Sequence, residues 1–437
     1  MNYCDALDFL GSLQFLGSKL GLERVRQLLA AVGNPQEKIK TVHIAGSKGK
    51  GSTSMFIDNI LQAAGYKVGL FTSPHLQSIR ERIRLNGEMI STGEFSDMIA
   101  EVAAADAKLK HGELGPATFF EVMTVSAFLY FLRAKVDIAV FEVGLGGRLD
   151  ATNVIVKPEV CVITPISYEH TQILGKTLDL IAREKAGIIK DGVPVVSARQ
   201  RKNAEDAIRD VASSKNAPIV FQNKDFDYVD QGCIYSGQMM DYEDKDQQIK
   251  HMIVPLLGEH QLQNASLACK TTIALRSRGF NVTDDAIRTG IANTFWPGRM
   301  ELIMESPLII IDGAHNGASA EALAHALKKH CACPKFTFVI GMLRDKDTRR
   351  FIRSIGPISN MIYATTPDSP RSLDPNVLAQ RFRKAYFDAK VVENPTDALL
   401  EAIDRTPPDG CVVITGSLYL VAQMRTALGR FHLAKPR

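Results

Sequence analysis

The sequence predicts an α/β protein built on parallel sheets with helices on both faces. Three observations predict it. Short apolar, β-rich runs alternate with helical patterns along most of the 437 residues, and such alternation marks parallel sheets covered by crossover helices. An early run, Val42-His43-Ile44-Ala45, passes through a glycine-rich turn straight into an amphipathic helix. The alternation stops in a polar stretch and resumes beyond Trp296-Pro297-Gly298, where Pro and Gly both end regular structure.

In chain order, strands are expected at 41–45, 68–72, 138–143, 160–164, 193–197 and 219–221. Helices lie among them, for example at 51–64, 119–133 and 178–189. The polar stretch 223–250 holds several turn residues and reads as β-hairpins or a small antiparallel insertion. A helix-rich segment follows, from 260 to about 293. After the Trp-Pro-Gly break, strands are expected at 308–311, 336–340, 361–365, 390–393 and 411–415, with helices such as 318–329 and 375–385. Residues 1–296 therefore read as a first domain and 297–437 as a second, smaller one.

Composition excludes several classes. Hydrophobic residues are 45% and charged residues 23%, which allows a core of normal size. A net charge of +4 without a basic block argues against nucleic acid as a partner. Seven scattered cysteines read as free thiols in a reducing compartment. His330, Cys331 and Cys333 lack a matching second half, so they read as a helix-end loop rather than zinc ligands. The N-terminal stretch has no basic n-region, and no apolar run approaches the ~20 residues of a membrane span. A cytoplasmic monomer without a membrane partner is the expectation.

The strongest local signal is Gly46-Ser47-Lys48-Gly49-Lys50-Gly51-Ser52-Thr53. Glycines let backbone N–H groups converge on an anion, and the following helix adds its positive end. Lys50 reaches towards the outer phosphates, and the hydroxyl of Ser52 or Thr53 lies near a bound metal. Gly49-Lys50 follows Gly46 after two residues rather than four, so the loop departs from the usual pattern. A lysine-rich surface turn is the plain alternative, disfavoured by three glycines and two lysines between a strand and a helix. His43 reads as a packed core histidine. A guanine reader is disfavoured, because Phe226 stands where Asn223-Lys224-Asp225 would need a further Asp.

Three more segments fall at expected strand ends: Thr72-Ser73-Pro74-His75, Glu142 with the glycines after it, and Ser167-Tyr168-Glu169-His170. In parallel α/β sheets ligands bind beyond the carboxyl ends of strands. One carboxylate with hydroxyls suits Mg²⁺ beside nucleotide phosphates. Singly, Glu142 reads equally well as a strand-end surface carboxylate and His170 as a loop histidine; their joint placement is the stronger fact. Lys185, taken alone, reads as a solvated helix lysine.

Together these residues resemble folylpolyglutamate synthase and dihydrofolate synthase, members of the Mur ligase superfamily. The resemblance rests on GSKGKGS, TSPHL followed by RERIRLNG, FEVGLGGRLDATN, SYEH and REKAGIIK, then WPGRME, IIDGAHN, GMLRDKD and VITGSLYL, in order over essentially the whole chain. It implies a P-loop ATPase-type parallel-sheet domain followed by a smaller Rossmann-like α/β domain, with ATP bound between them. It implies ATP contacts from Lys48, Gly49, Lys50, Gly51 and Ser52, completed by Asn264, Arg299 and Asp312, with His315 beside them. It implies two Mg²⁺ sites, one held by Ser73 and Glu142 and one by Glu142 and His170, with Lys185 carbamylated to support the second. The pterin or folate side is expected against Leu20, Gly21 and Leu22, against Thr118, Phe119, Phe120 and Glu121, and against Leu149, Asp150 and Ala151. Phe119 and Phe120 read equally well as core residues of a helix start. The family pattern is departed from at Ser47-Lys48, where Thr-Asn is frequent, at Glu169, where Asp is common, and at Gly317, where Pro is common. None of these removes an expected ligand.

The implied reaction is ATP-dependent ligation of L-glutamate to a folate-type carboxylate through an acyl phosphate. The acceptor is dihydropteroate or a reduced folate. The stretch from Leu20 to Arg24 resembles the dihydropteroate-binding part of bifunctional relatives and favours both. A peptidoglycan-type Mur ligase is the nearest alternative; the early position of Gly46 leaves little room for the nucleotide-sugar domain those enzymes usually carry first. A non-catalytic ATP-dependent switch is the other.

Overall fold

The structure is a computed structural model that describes residues 1–13, 17, 20–109, 114–234 and 236–434. Part of the N-terminal stretch and Tyr235 of the polar stretch lie outside the described residues. The chain divides into two compact units. One comprises residues 1–75, 79–255 and 261–294, the other 76–78, 256–260 and 295–437.

The first unit contains α1 (Tyr3–Leu13), α2 (Glu23–Ala31), β1 (Thr41–Ala45), α3 (Lys50–Ala63), β2 (Val68–Phe71), β3 (Ile83–Leu85), β4 (Glu88–Met89), α4 (Thr92–Lys108), α5 (Phe119–Ala134) and β5 (Ile138–Glu142). It continues through β6 (Val160–Ile163), α6 (Thr171–Leu174), α7 (Leu178–Ala186), β7 (Val195–Ser197), α8 (Lys202–Ser214), β8 (Ile219–Phe221), β9 (Phe226–Ile234), β10 (Gly237–Asp244), β11 (Gln248–Val254), α9 (Glu259–Arg276) and α10 (Asp284–Ala292). Eight strands form one sheet in the order β4-β3-β2-β5-β1-β6-β7-β8. From β2 to β8 the neighbours are parallel, whereas β3 and β4 add an antiparallel edge. The sheet is therefore mixed rather than purely parallel. The edge escaped the sequence reading because its strands are two and three residues long, too short to show a period.

Strand β1 is buried along its whole length, as a central parallel strand must be. His43 on it is the packed histidine expected: Nε2 lies 2.9 Å from Thr152 Oγ1, and burial, then Lys190, pushes its pKa down to about 3. Helix α5 presses an aromatic face on the sheet, where Phe128 stacks on Phe141 with centroids 4.2 Å apart. Both rings are fully buried, each contributing roughly 1.5–3 kcal/mol by leaving water.

The polar stretch forms the antiparallel sheet β11-β10-β9. Lys270 of α9 donates to Asp244 of β10 at 2.8 Å, which ties that sheet to the helix carrying Asn264.

The second unit contains β12 (Glu301–Glu305), β13 (Leu308–Ile311), α11 (Gly317–His330), β14 (Phe336–Ile340), α12 (Thr348–Ile355), β15 (Ser359–Ala364), α13 (Pro375–Lys384), β16 (Ala389–Val391), α14 (Pro395–Arg405), β17 (Cys411–Thr415) and α15 (Leu418–Ala434). Its sheet has the order β12-β13-β17-β14-β15-β16, parallel except for the edge strand β12. Among the described residues, no helix is long and apolar enough to cross a membrane.

Candidate active site

In the first unit, four loops leave the carboxyl ends of four adjacent strands, β2, β5, β1 and β6. They carry Ser73, Glu142, the glycine-rich loop and the segment 164–170. This clustering follows from parallel strand direction alone.

The glycine-rich loop is folded tightly onto the next one. Ser47 and Lys48 donate their backbone N–H groups to Pro165 O at 3.0 and 3.2 Å, and Ser47 Oγ donates to Ser167 O at 3.1 Å. Gly46 has φ +147 and the space of a Cβ there is taken by Thr164. Gly49, with φ +82, is the N-cap of α3, and a Cβ on it would run into the amide of Asn264. No side chain caps the first turn of α3, so its N–H groups are left for an anion.

Three ammonium groups surround this loop. Lys50 Nζ donates to Gly46 O at 3.0 Å, and Lys185 Nζ donates to the same oxygen at 2.9 Å. Lys185 also donates to Glu169 Oε1 at 2.7 Å. It is 2% exposed, which overturns the reading of a solvated helix lysine. Burial pushes its pKa down to about 8, with Lys50 acting in the same sense and Glu169 against it. For Glu169, burial alone would raise the carboxyl; Lys185, Lys50 and Lys48 outweigh that and hold it below its ordinary value.

Glu169, which the sequence marks only as a departure from the family pattern, has a contact here that the sequence did not show. It is the carboxylate opposite Lys185, 16 positions away in the chain. A signal for Lys185 was present. Leu178, Ile181, Ala182, Lys185 and Ala186 are the buried residues of α7, so the lysine sits on the apolar stripe of an amphipathic helix.

Glu142 ends β5, is 4% exposed, and accepts the Ser73 N–H at 3.1 Å. The pair expected to share a cation is thus in contact. His170 is exposed and N-caps α6 in a left-handed conformation with φ +45. Asn264 is buried on α9 and donates to Gln261 Oε1 at 3.0 Å.

The residues expected on the pterin side are divided. Leu20 is exposed and Leu22 is buried at the start of α2, while Gly21 between them has φ +136. Phe119 and Phe120 are half-buried and pack against the core, Phe120 lying 5.8 Å from Phe71 between centroids. Leu149 is half-buried and Ala151 buried. Thr118 and Glu121 form a capping box on α5, and Glu121 accepts Arg24 Nε at 2.7 Å in a buried ion pair. Asp150 accepts from Leu145 N, Thr152 N and Thr152 Oγ1 at 2.8, 3.0 and 2.6 Å. Burial raises its pKa, against the pull of these bonds. Glu121 Oε2 and both Asp150 oxygens hold the loops in shape.

In the second unit, Asp312 leaves β13 and accepts from Met300 N at 3.0 Å and Ala314 N at 2.8 Å. Gly313 N donates to Gly298 O at 2.9 Å, so the Gly298–Met300 turn is tied to the Asp312 loop. Burial raises the Asp312 pKa, opposed by Arg299 and by the two amides. His315 Nδ1 lies 2.8 Å from Gly313 O, and Asn316 caps α11.

Among the described residues, no three His, Cys, Asp or Glu side chains gather as a metal cluster. Mg²⁺ on nucleotide phosphates needs only one or two protein carboxylates, with water and phosphate completing its octahedron. The buried Glu142 beside Ser73 fits that requirement.

Comparison with known proteins places this geometry. The Mur ligase middle domain family matches residues 44–272, and the family described as Mur ligase, glutamate ligase domain matches residues 298–418. A Bacillus subtilis dihydrofolate synthase/folylpolyglutamate synthase is 37% identical over 98% of this chain and 99% of its own. The chain belongs to this ligase family. An Escherichia coli member with the same name is 33% identical over 96% of this chain and 93% of its own. A structure of Mycobacterium tuberculosis folylpolyglutamate synthase complexed with ADP and AMPPCP matches with a TM-score of 0.91 at 32% identity, covering 100% of both chains. One of Escherichia coli FolC in complex with DHPP and ADP matches with a TM-score of 0.88 at 32% identity, covering 99% of each. Folylpolyglutamate synthases and dihydrofolate synthases are ATP-dependent ligases, and the α/β fold class read from this sequence is theirs.

Proposed function

We propose that this chain joins L-glutamate to the carboxylate of a folate-type acceptor, using ATP, and that both dihydropteroate and reduced folates serve as acceptor. The observation that carries the reading is the convergence of an uncapped helix N-terminus, Lys48 and Lys50 with Glu142 at the ends of adjacent strands. Such a concentration of positive charge calls for a polyanion, and the carboxylate calls for a cation beside it.

A carboxylate resists an amine nucleophile because its charge repels the amine and oxide leaves poorly. Phosphorylation removes both obstacles. On this reading the loop amides from Lys48 to Ser52, with the Lys50 ammonium, hold the phosphates and meet charge on the equatorial oxygens as the γ-phosphoryl moves. Asn264, Arg299, Asp312 and His315 are each assigned a nucleotide contact on the same family reading. Two Mg²⁺ ions, held by Ser73 and Glu142 and by Glu142 and His170, supply Lewis-acid neutralisation of the phosphates when bound. Lys185 carries a carbamate supporting the second. Its lowered pKa leaves more free amine at neutral pH, which carbamate formation requires. Glutamate's amino group then attacks the acyl phosphate, phosphate leaves, and an amide forms. Leu20, Gly21, Phe119, Phe120 and Leu149 offer the acceptor its surface, whereas Leu22 is buried. Residues 1–296 supply the phosphate loop and the acceptor's surface, and residues 297–437 form the glutamate-ligase domain. The partners are small molecules, and the working form is a cytoplasmic monomer.

The experiment is a product assay with labelled glutamate, ATP and Mg²⁺, comparing dihydropteroate, tetrahydrofolate and a UDP-muramoyl acceptor. Labelled amide and ADP with the first two are expected. Turnover with the UDP-muramoyl acceptor alone, or ATP hydrolysis unaffected by any acceptor, contradicts the proposal.

A further inference from the structure

The second unit carries an open groove of about 660 Å³, within the roughly 300–1,000 Å³ of small-ligand clefts. Its lining holds five cations, Arg344, Lys346, Arg349, Arg381 and Lys384, against one carboxylate, Asp347. That carboxylate is engaged: Oδ1 caps α12, accepting from the amides of Arg349 and Arg350 at 3.1 and 3.3 Å. Lys346 is paired with Asp345 at 2.7 Å. Among the described residues Arg344, Arg349, Arg381 and Lys384 make no ion pair, whereas Lys390 and Arg425 of the same unit pair with Glu401 and Glu301. Two of the four are held in place. Arg344 Nε donates to Ser372 O at 2.9 Å, and Arg381 Nη1 donates to Thr348 Oγ1 at 2.6 Å.

We propose that this groove binds a γ-linked glutamyl chain, the poly-carboxylate tail that the ligase builds. The inference rests on the glutamate-ligase reading above and adds a second contact surface to it. Such a chain alternates charge with hydrocarbon. Each residue exposes one α-carboxylate and runs two methylenes to the next amide. Guanidinium forks match carboxylates in geometry as well as charge. Ile352 and Ala385 line the same groove and offer an apolar wall to the methylenes, which an inorganic polyanion would not use. A nucleic acid would require a longer basic stripe, and the groove's cations are confined to residues 344–349 and 381–384. The location also suits a tail. The loop bearing Arg344 and Lys346 leaves the carboxyl end of β14, which is two strands from β13 in the same sheet, or roughly 10 Å. Asp312 and His315 leave β13 at that same end.

The test uses the full chain and a dye-labelled tetra-γ-glutamate peptide without a pterin, titrated by fluorescence anisotropy. Binding that weakens about tenfold in Arg349→Gln/Lys384→Gln, the range expected for two solvent-facing cations acting together, supports the groove. So does a rise in that variant of the ratio of KM for a pentaglutamyl acceptor to KM for a monoglutamyl one. Unchanged peptide affinity with an unchanged KM ratio overturns it. So does displacement of the peptide by tripolyphosphate as effectively as by unlabelled peptide, which indicates a general anion site. Thermal melting of the variant checks that it folds; should it not, Arg349→Gln alone is tested against the same outcomes. Peptide binding requires no turnover, so failure of the ligase reading and failure of this one remain distinguishable.

Discussion

Lys185 holds its ammonium between Gly46 O and the Glu169 carboxylate, almost out of reach of solvent. Desolvation disfavours the charged form, so the folded chain releases this proton near pH 8 while the unfolded chain keeps it to about 10.5. Between those values the unfolded state binds more protons, and stability rises with pH; below pH 8 the folded state bears the full cost of the buried charge. In CO₂-free buffer, wild type should therefore gain stability relative to Lys185→Met between about pH 8 and 10.5, measured by urea unfolding. A gap that stays constant over that window contradicts the buried ammonium. With ¹³C-bicarbonate, a carbamate resonance is expected in wild type and none in Lys185→Arg; identical spectra would remove the carbamate. At Gly49 a left-handed backbone meets a neighbour that leaves no room for Cβ. Gly49→Ala should lose at least about 1–2 kcal/mol of stability from the backbone alone and bind ATP more weakly, as read by denaturation and titration. Wild-type stability in that variant would contradict the tight loop. The loop itself was legible in the sequence, because glycine and lysine between a strand and a helix have a local meaning. Glu169 opposite Lys185 was not, since that contact joins two side chains from separate elements.

The elements divide along the same line. Central strands were readable from apolar runs because parallel strands are buried on both faces. Strand ends shifted by a residue or two, as at β7, expected from 193 and observed as Val195–Ser197. Helix α4 was not singled out, although its capping box at Ser91 and Glu94 is a local signal. The Arg24–Glu121 pair shows what local signals omit. Glu121 is the capping-box residue of α5, readable from Thr118-Phe119-Phe120-Glu121, but its ion pair with α2 spans 97 positions. Removing one partner of a buried pair leaves an uncompensated charge and costs about 3–5 kcal/mol. Arg24→Met should show a loss of that order in urea unfolding, and Arg24→Met/Glu121→Met should lose less than the two single variants combined. Full additivity would show that the two side chains act independently.

Across the whole molecule, two α/β units each gather their charged loops at the carboxyl ends of parallel strands, as strand direction requires. The alternation of runs made both units legible, whereas the antiparallel edges formed by β3, β4 and β12 depend on pairing that no local pattern declares. One chemical claim joins the phosphate loop, the buried lysine and the carboxylate of β5: the acceptor's own carboxylate oxygen is phosphorylated before the amide forms. Labelling that carboxylate with ¹⁸O and analysing the released phosphate by mass spectrometry tests it. Transfer of one ¹⁸O atom into inorganic phosphate for each amide formed is the predicted result. Amide formation with unlabelled phosphate would contradict it.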